Sequence, residues 1–212
     1  MMIRGELGRL NTPKADVVFL AGVGGVGKTS VINILKKLEP DIQVMPSITR
    51  TVYAKMGLTE EKQAMALTAE QRQEFQSLIF KTYLEETAKF ITENRGKGPV
   101  VIDRSPFDHV SYKTYILPEM SVEEHVSLVI EAQNFMQRFG EESLTLLFPF
   151  PVPWAWNSTN SDGMRYAPAG KNLAWHGLLA MLVETRSHSR YEYLMSTTPM
   201  GRAYEVLSYI VD

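Results

Sequence analysis

The chain has 212 residues, of which 44% are hydrophobic, 22% charged and 10% aromatic. That mix fits one globular domain over 1–212 and excludes a collagen-like, coiled-coil or largely disordered chain. A formal charge of −2 supplies no global field toward DNA or a membrane, so any anion site must be local. The absence of cysteine excludes a disulfide scaffold, a thiolate zinc site and a cysteine nucleophile. It fits a reducing compartment, and the opening MMIRGELGRL lacks the apolar run of a secretory signal. A cytoplasmic location is the expectation.

In chain order, the strong signals alternate strand and helix. Residues 17–21, VVFLA, form an apolar, β-branched run suited to a strand buried on both faces. A glycine loop follows, and Val31, Ile34, Leu35 and Leu38 then recur at helical spacing. IQVMP at 42–46 predicts a second strand. Thr68-Ala-Glu-Gln71 has the form of a capping box and opens a long helix to about Asn94, with Phe75, Ile79, Tyr83 and Phe90 on its apolar face. Gly96 and Gly98 stop it, and PVVI at 99–102 predicts a third strand. Ser121-Val-Glu-Glu124 repeats the capping-box form ahead of a helix to Gly140. LTLLF at 144–148 predicts a fourth strand, a helix is expected over about 172–194, and AYEVL at 203–207 is the expected fifth strand. The charge-free stretch from Ser143 to Ser161 contains Pro149, Pro151 and Pro153. One helix there could not satisfy its backbone in lipid, so it reads as a strand running into a loop and not as a membrane span.

Strands separated by helices predict an α/β fold, a parallel sheet with helices on both faces. Ligands on such sheets bind at the carboxyl ends of the strands. Four loops are thereby singled out, beginning at Gly22, Ser47, Asp103 and Phe148.

The first has the sequence Gly22-Val-Gly-Gly-Val-Gly-Lys-Thr29, which satisfies G-x-x-x-x-G-K-[ST] between a strand and an amphipathic helix. Glycines let backbone N–H groups curl around phosphate oxygens, which a Cβ would obstruct. Gly24, Gly25, Val26, Gly27, Lys28, Thr29 and Ser30 are the expected triphosphate cradle. Lys28 reaches the β- and γ-phosphates, and the Thr29 hydroxyl is placed for Mg²⁺ at the positive end of the helix.

The loop after the third strand carries Asp103-Arg-Ser-Pro-Phe-Asp108. An acid after an apolar strand is costly without a partner. Asp103 is therefore expected to orient Mg²⁺ or to take a proton from an attacking hydroxyl. Arg104 offers a planar, permanent cation to a transferring phosphoryl group. Asp108 is either the N-cap of a helix over HVSYKTYIL or a substrate ligand, and Tyr112 reads as a core aromatic. The histidines His109, His125, His176 and His188 have no metal-ligand spacing and read as structural or surface groups.

GVGGVGKTS together with VVIDRSPFDHVSY resembles the P-loop nucleoside and nucleotide kinases. The nearest likeness is to the ribosylnicotinamide-kinase-like group, which includes phage ATPases or kinases carrying a D-R-S/G-P-x-D-x-x-x-Y element. The resemblance is specific over two blocks. It implies a three-layer fold on a five-stranded parallel sheet, ATP and Mg²⁺, and a nucleoside-type acceptor. It also implies phosphates on Gly27 and Lys28, Mg²⁺ on Thr29 and Asp103, and the reacting group on Arg104. If the chain is phage-encoded, the location becomes the host cytoplasm.

Related kinases put an acceptor-binding acid or arginine after the second strand. Here Ser47 stands at the acid's place, which speaks against a glutamate-base deoxynucleoside kinase. Arg50 is either an acceptor-phosphate ligand or a surface ion pair. The segment about 150–171 corresponds to the family's lid, and Asp162-Gly-Met-Arg165 makes Arg165 the expected lid cation. Trp154 and Trp156 either stack a base or pack the loop on the core. Arg186 and Arg190, expected on one late helix, are further cations within possible reach of phosphate.

The acceptor expected from this reading is a nucleoside, a nucleotide, or a modified pyrimidine such as a hydroxymethyl base within DNA. The last would need flipping, and Arg4, Arg9, Lys14, Arg50 and Lys55 would form its basic rim. The alternative is a non-kinase NTPase serving as a nucleotide-dependent switch or binding module. No N-K-x-D tetrapeptide is present for a common GTPase switch, and the length leaves little room for an AAA motor's helical domain.

Overall fold

The computed structural model describes residues 14–45, 47–57, 66–139, 142–150, 169–187 and 189–211. Five strands form one sheet: β1 (Val17–Ala21), β2 (Gln43–Met45), β3 (Val100–Asp103), β4 (Ser143–Leu147) and β5 (Arg190–Tyr193). Their order is β2-β3-β1-β4-β5 and every pairing is parallel. All residues of β1 and β4 are buried, which explains why their sequences run apolar without alternation.

Alternate residues feed two separate cores. Val17, Phe19, Ala21, Val100 and Ile102 face one, while Val18, Leu20, Val101, Leu144 and Leu146 face the other. The first core is closed by α2 (Ile48–Lys55), α3 (Ala69–Asn94), α4 (Pro106–Ile116), α5 (Val122–Phe139) and α6 (Ala169–Arg186). The second is closed by α1 (Lys28–Leu38) and α7 (Pro199–Ile210), through Val31, Ile32, Leu35, Ala203, Val206 and Ile210. Helices therefore cover both faces, and the expected three-layer α/β fold is the one found.

Thr68 caps α3 with the reciprocal bonds its sequence predicts. Its hydroxyl accepts from Gln71 N–H at 3.2 Å, and the Gln71 side chain accepts from Thr68 N–H at 3.0 Å. Ser121 makes only half of that motif, accepting from Glu124 N–H at 3.1 Å. The Glu124 carboxylate is taken instead by Lys113 Nζ at 2.9 Å and by Gln73 Nε2 at 3.0 Å. A charge-assisted bond from the buried Lys113 outcompetes a local backbone N–H.

The last third of the chain corrects two expectations. The helix predicted over 172–194 ends at Arg186, and Arg190–Tyr193 is the fifth strand. Residues 203–207 are the middle of α7, capped by Thr198, which accepts from Gly201 N–H at 3.0 Å, with Pro199 in the first turn. Within AYEVL, Ala203 and Val206 form a helical stripe that continues to Ile210. The strand RYEY escapes apolar patterning because it is an edge strand with two exposed central residues. Among the described residues no helix is long and apolar enough to cross a membrane.

Candidate active site

The glycine loop joins β1 to α1 at the carboxyl end of the central strand. Gly25 and Gly27 lie at φ 82° and φ 95°, and Gly27 is the N-cap of α1 with no side-chain cap bond. Only glycine adopts this backbone without cost, and the uncapped helix leaves its first N–H groups directed at the loop's interior. At Gly22 a Cβ would lie 3.0 Å from both Phe148 Cβ and Val26 Cγ2, so the loop's first residue is glycine for lack of room. Lys28 is 7% exposed, and its ammonium donates to Gly22 C=O and, at 3.0 Å, to Val23 C=O. The lysine is thus folded over the loop it is expected to serve. Thr29 and Ser30 are exposed on the first turn of α1.

Asp103 ends β3 beside Leu20 of β1. Its Oδ1 is buried and has no hydrogen-bond partner among the described residues. An orphaned carboxylate oxygen next to a phosphate loop fits a cation ligand, because burial without a partner is otherwise a net cost.

Arg104 is the one non-glycine residue with positive φ among the described residues, at 88°. For an L-residue this costs roughly 1–2 kcal/mol, and such strain concentrates where geometry is functional. Its N–H donates to Leu20 C=O at 3.1 Å, and the Tyr83 hydroxyl donates to its carbonyl at 2.7 Å. Its guanidinium lies 3.7 Å from Asp108 and 5.8 Å from the Trp175 ring centre.

Asp108 is fully buried and joins the two loops. One carboxylate oxygen accepts from Gly22 N–H at 3.0 Å; the other accepts from Ser105 N–H and Ser105 Oγ–H, each at 2.8 Å. It is therefore not the N-cap of α4. Ser105 is the cap, and Asp108 is the reciprocating third residue of a capping box. With both oxygens spent on the protein, Asp108 holds the glycine loop to the Asp-Arg-Ser loop.

The remaining expected residues fall as follows. Ser47 is the N-cap residue of α2 and makes no side-chain cap bond. Arg50 lies on α2, and its side chain lies outside the described residues, as do Trp154, Trp156 and Arg165. Arg190 opens β5 opposite Leu144 and Arg186 ends α6. Both stand at the amino-end edge of the sheet, away from the phosphate loop, and Arg190 lies on a strand instead of the late helix expected for it.

Sequence reasoning missed three contributors, Tyr83, Trp175 and Arg202. Tyr83 was read only as an apolar position, yet it braces Arg104. Trp175 donates from Nε1 to Ser111 Oγ at 2.9 Å, packs on Tyr112 at 4.8 Å between ring centres, and approaches within 3.9 Å of where a Gly24 Cβ would stand. Arg202 of α7 is 1% exposed and donates to Val26 C=O at 2.7 Å and Ser196 C=O at 2.8 Å, its guanidinium lying over Phe148. Burial pulls its pKa down to about 10, which leaves it a cation at neutral pH. His109 stacks at 4.3 Å on the Tyr83 ring. His109 is thus a structural group, one of the two readings its sequence allowed, while the three missed residues are remote in sequence and left no signal.

Burial pushes the His109 imidazole down to about 3 from 6.5, with the charges of Arg104 and Lys28 adding to the shift. Its neutral form belongs to the folded state, so the unfolded chain binds the extra proton between those two values. Stability from this group is full above pH 6.5 and is lost as pH falls toward 3. Between pH 7 and 5, above the titration of most carboxylates, urea midpoints should therefore fall. His109→Phe, which keeps a ring against Tyr83 and cannot titrate, should show a shallower decline; an unchanged decline would refute the assignment.

A family model described as "AAA domain" matches residues 17–197. No curated protein matches the sequence. Among solved structures, NadR protein in complex with NR is similar with a TM-score of 0.63 at 13% identity, over 92% of this chain and 50% of that one. The present chain thus spans half the length of that protein. Deoxyadenosine kinase from M. mycoides with bound dCTP gives 0.62 at 10% identity, over 92% of this chain and 100% of that one. Thymidylate kinase from Candida albicans gives 0.58 at 12% identity, over 93% and 92%. At these identities the likeness is one of fold.

Proposed function

The chain belongs to the AAA-domain family and has the fold of the P-loop nucleoside and nucleotide kinases, and from that premise we propose that it is an ATP-dependent phosphotransferase with a nucleoside-type acceptor. The observation that carries the reading is the pairing, across adjacent strands, of a glycine loop with Lys28 and an Asp-Arg element whose acid keeps one oxygen buried and unpaired. The acceptor oxygen would bond to the γ-phosphorus as the bond to the bridging oxygen breaks and ADP leaves. The acceptor's proton would pass to a nearby carboxylate, for which Asp103 is the candidate.

In this reading the loop's N–H groups and Lys28 hold the phosphates in line, and Arg104 meets charge that grows on the transferring group. Catalysis is then positioning and electrostatic stabilisation without a covalent intermediate. Mg²⁺, held by Thr29 and Asp103, would neutralise charge on the β- and γ-phosphates. Arg165, on the lid segment, would add a cation on closure and exclude water. Ser47 and Arg50, at the carboxyl end of β2, would contact the acceptor. Asp108, which the sequence leaves open between helix cap and substrate ligand, serves as the brace between the loops. The acceptor is proposed as a nucleoside, a nucleotide or a modified pyrimidine in DNA, and the setting as the cytoplasm.

Incubation with γ-labelled ATP and Mg²⁺ against nucleosides, monophosphates and DNA with or without modified pyrimidines tests this. Label is expected on one acceptor class, with ADP release dependent on that acceptor. Hydrolysis indifferent to every acceptor would instead favour the switch or binding module.

A further inference from the structure

We propose that Tyr83 is a positioning residue for phosphoryl transfer, its hydroxyl fixing the Arg104 carbonyl so that the arginine stays in the backbone conformation that aims its guanidinium. The inference rests on the phosphotransferase reading and extends it to a residue on α3, outside both loops.

Three observations carry it. Arg104 is the one described non-glycine residue at positive φ, 88°, so its conformation must be imposed from outside. Both its polar backbone groups are held by other elements, the N–H by Leu20 of β1 at 3.1 Å and the carbonyl by Tyr83 at 2.7 Å. Tyr83 itself is immobilised: it is 1% exposed, packed against His109 at 4.3 Å and Phe135 at 6.5 Å between ring centres. Burial, with Asp108 and Asp103 adding, holds its phenol well above the usual range, so it stays a donor.

The two anchors divide the work. The Leu20 bond continues the β1–β3 ladder by one residue and fixes where the loop leaves the sheet. The Tyr83 bond acts one peptide later, at the plane between Arg104 and Ser105. With the N–H fixed by Leu20, a change in Arg104 φ swings its carbonyl and its Cβ together about the N–Cα bond. Without the Tyr83 bond that swing is unopposed, Arg104 can relax to negative φ, and its side chain leaves the position set by Asp108 and Trp175. A displacement of about 1 Å at a transition-state cation is enough to cost on the order of 10²-fold in rate.

Tyr83→Phe removes the hydroxyl and keeps the ring. The probes are ADP, ADP with aluminium fluoride as a mimic of the transferring phosphoryl group, and turnover of γ-labelled ATP, at temperatures where both proteins are folded by circular dichroism. ADP affinity is expected to stay within about twofold, while aluminium fluoride complex affinity and kcat fall by about tenfold or more. Equal loss of both affinities, or no loss of either, would overturn the proposal. Should the wild type neither transfer label nor distinguish the two ADP complexes, the phosphotransferase reading fails, and this inference with it; failure in the variant alone leaves that reading standing. If Tyr83→Phe does not fold, the melting of Arg104→Ala against Arg104→Gly decides the point. Alanine should melt about 2–4 °C below glycine where positive φ is enforced, and equal melting would overturn the proposal.

Discussion

Lys28→Ala is expected to lower phosphoryl transfer by about 10²–10³-fold, the larger part in kcat. Its ammonium rests on the carbonyls of Gly22 and Val23, two residues of the loop that would enclose a triphosphate. A lysine seated there offers a mobile charge able to follow the γ-phosphate from ground state to transition state. Removing it leaves two carbonyls short of one donor, at a cost of about 1 kcal/mol where water can replace it. The variant should therefore remain folded, with its melting transition close to that of the parent. Rapid-quench measurement of single-turnover transfer separates the two effects. A variant that is folded and keeps its single-turnover rate would remove Lys28 from the chemistry.

Asp103→Asn is expected to have the second large effect, a loss of about 10²–10³-fold in the same transfer. The substitution keeps shape and one carbonyl oxygen but removes the charge. If Asp103 is a cation ligand, the metal concentration needed for half-maximal rate rises, and ATP binding in the presence of a chelator stays the same. A titration of rate against Mg²⁺ reads the first and equilibrium binding reads the second. Full activity at every metal concentration would refute both roles assigned to Asp103, ligand and base. The buried, unpaired Oδ1 also implies that the asparagine is no less stable than the acid, since an amide is cheaper to bury alone than a carboxylate.

The central part of the fold was legible because its signals are local. β1, the glycine loop and α1 announce themselves within 22 residues, 17–38, by an apolar run, obligatory glycines and a helical stripe. The α3 cap was legible for the same reason. What was not legible depends on position in the sheet. RYEY is a strand because it pairs with β4 at an edge, and nothing in four half-polar residues says so. AYEVL has strand-like composition but follows Thr198-Pro199, a start signal that decides for helix.

At the site, Lys28, Asp103 and Arg104 were found by type and spacing. Tyr83 and Arg202 act on main-chain carbonyls 21 and 176 residues away, contacts that leave no pattern in a single sequence. Asp108 illustrates an intermediate case. Its place near a helix start was evident, while its bond to Gly22 needed the two loops brought side by side.

The bond from Arg202 to Val26 also sets an order of events during synthesis. The glycine loop leaves the ribosome well before the guanidinium that holds the Val26 carbonyl, which is made 176 residues later. β1 likewise waits for both of its neighbours, β3 and β4, to be made before its ladder is filled on either side. A nascent chain ending at residue 195 would contain all five described strands and the entire loop while lacking the helix that pins it. The glycine loop thus gains its last partner only after the strands on both sides of β1 have been made.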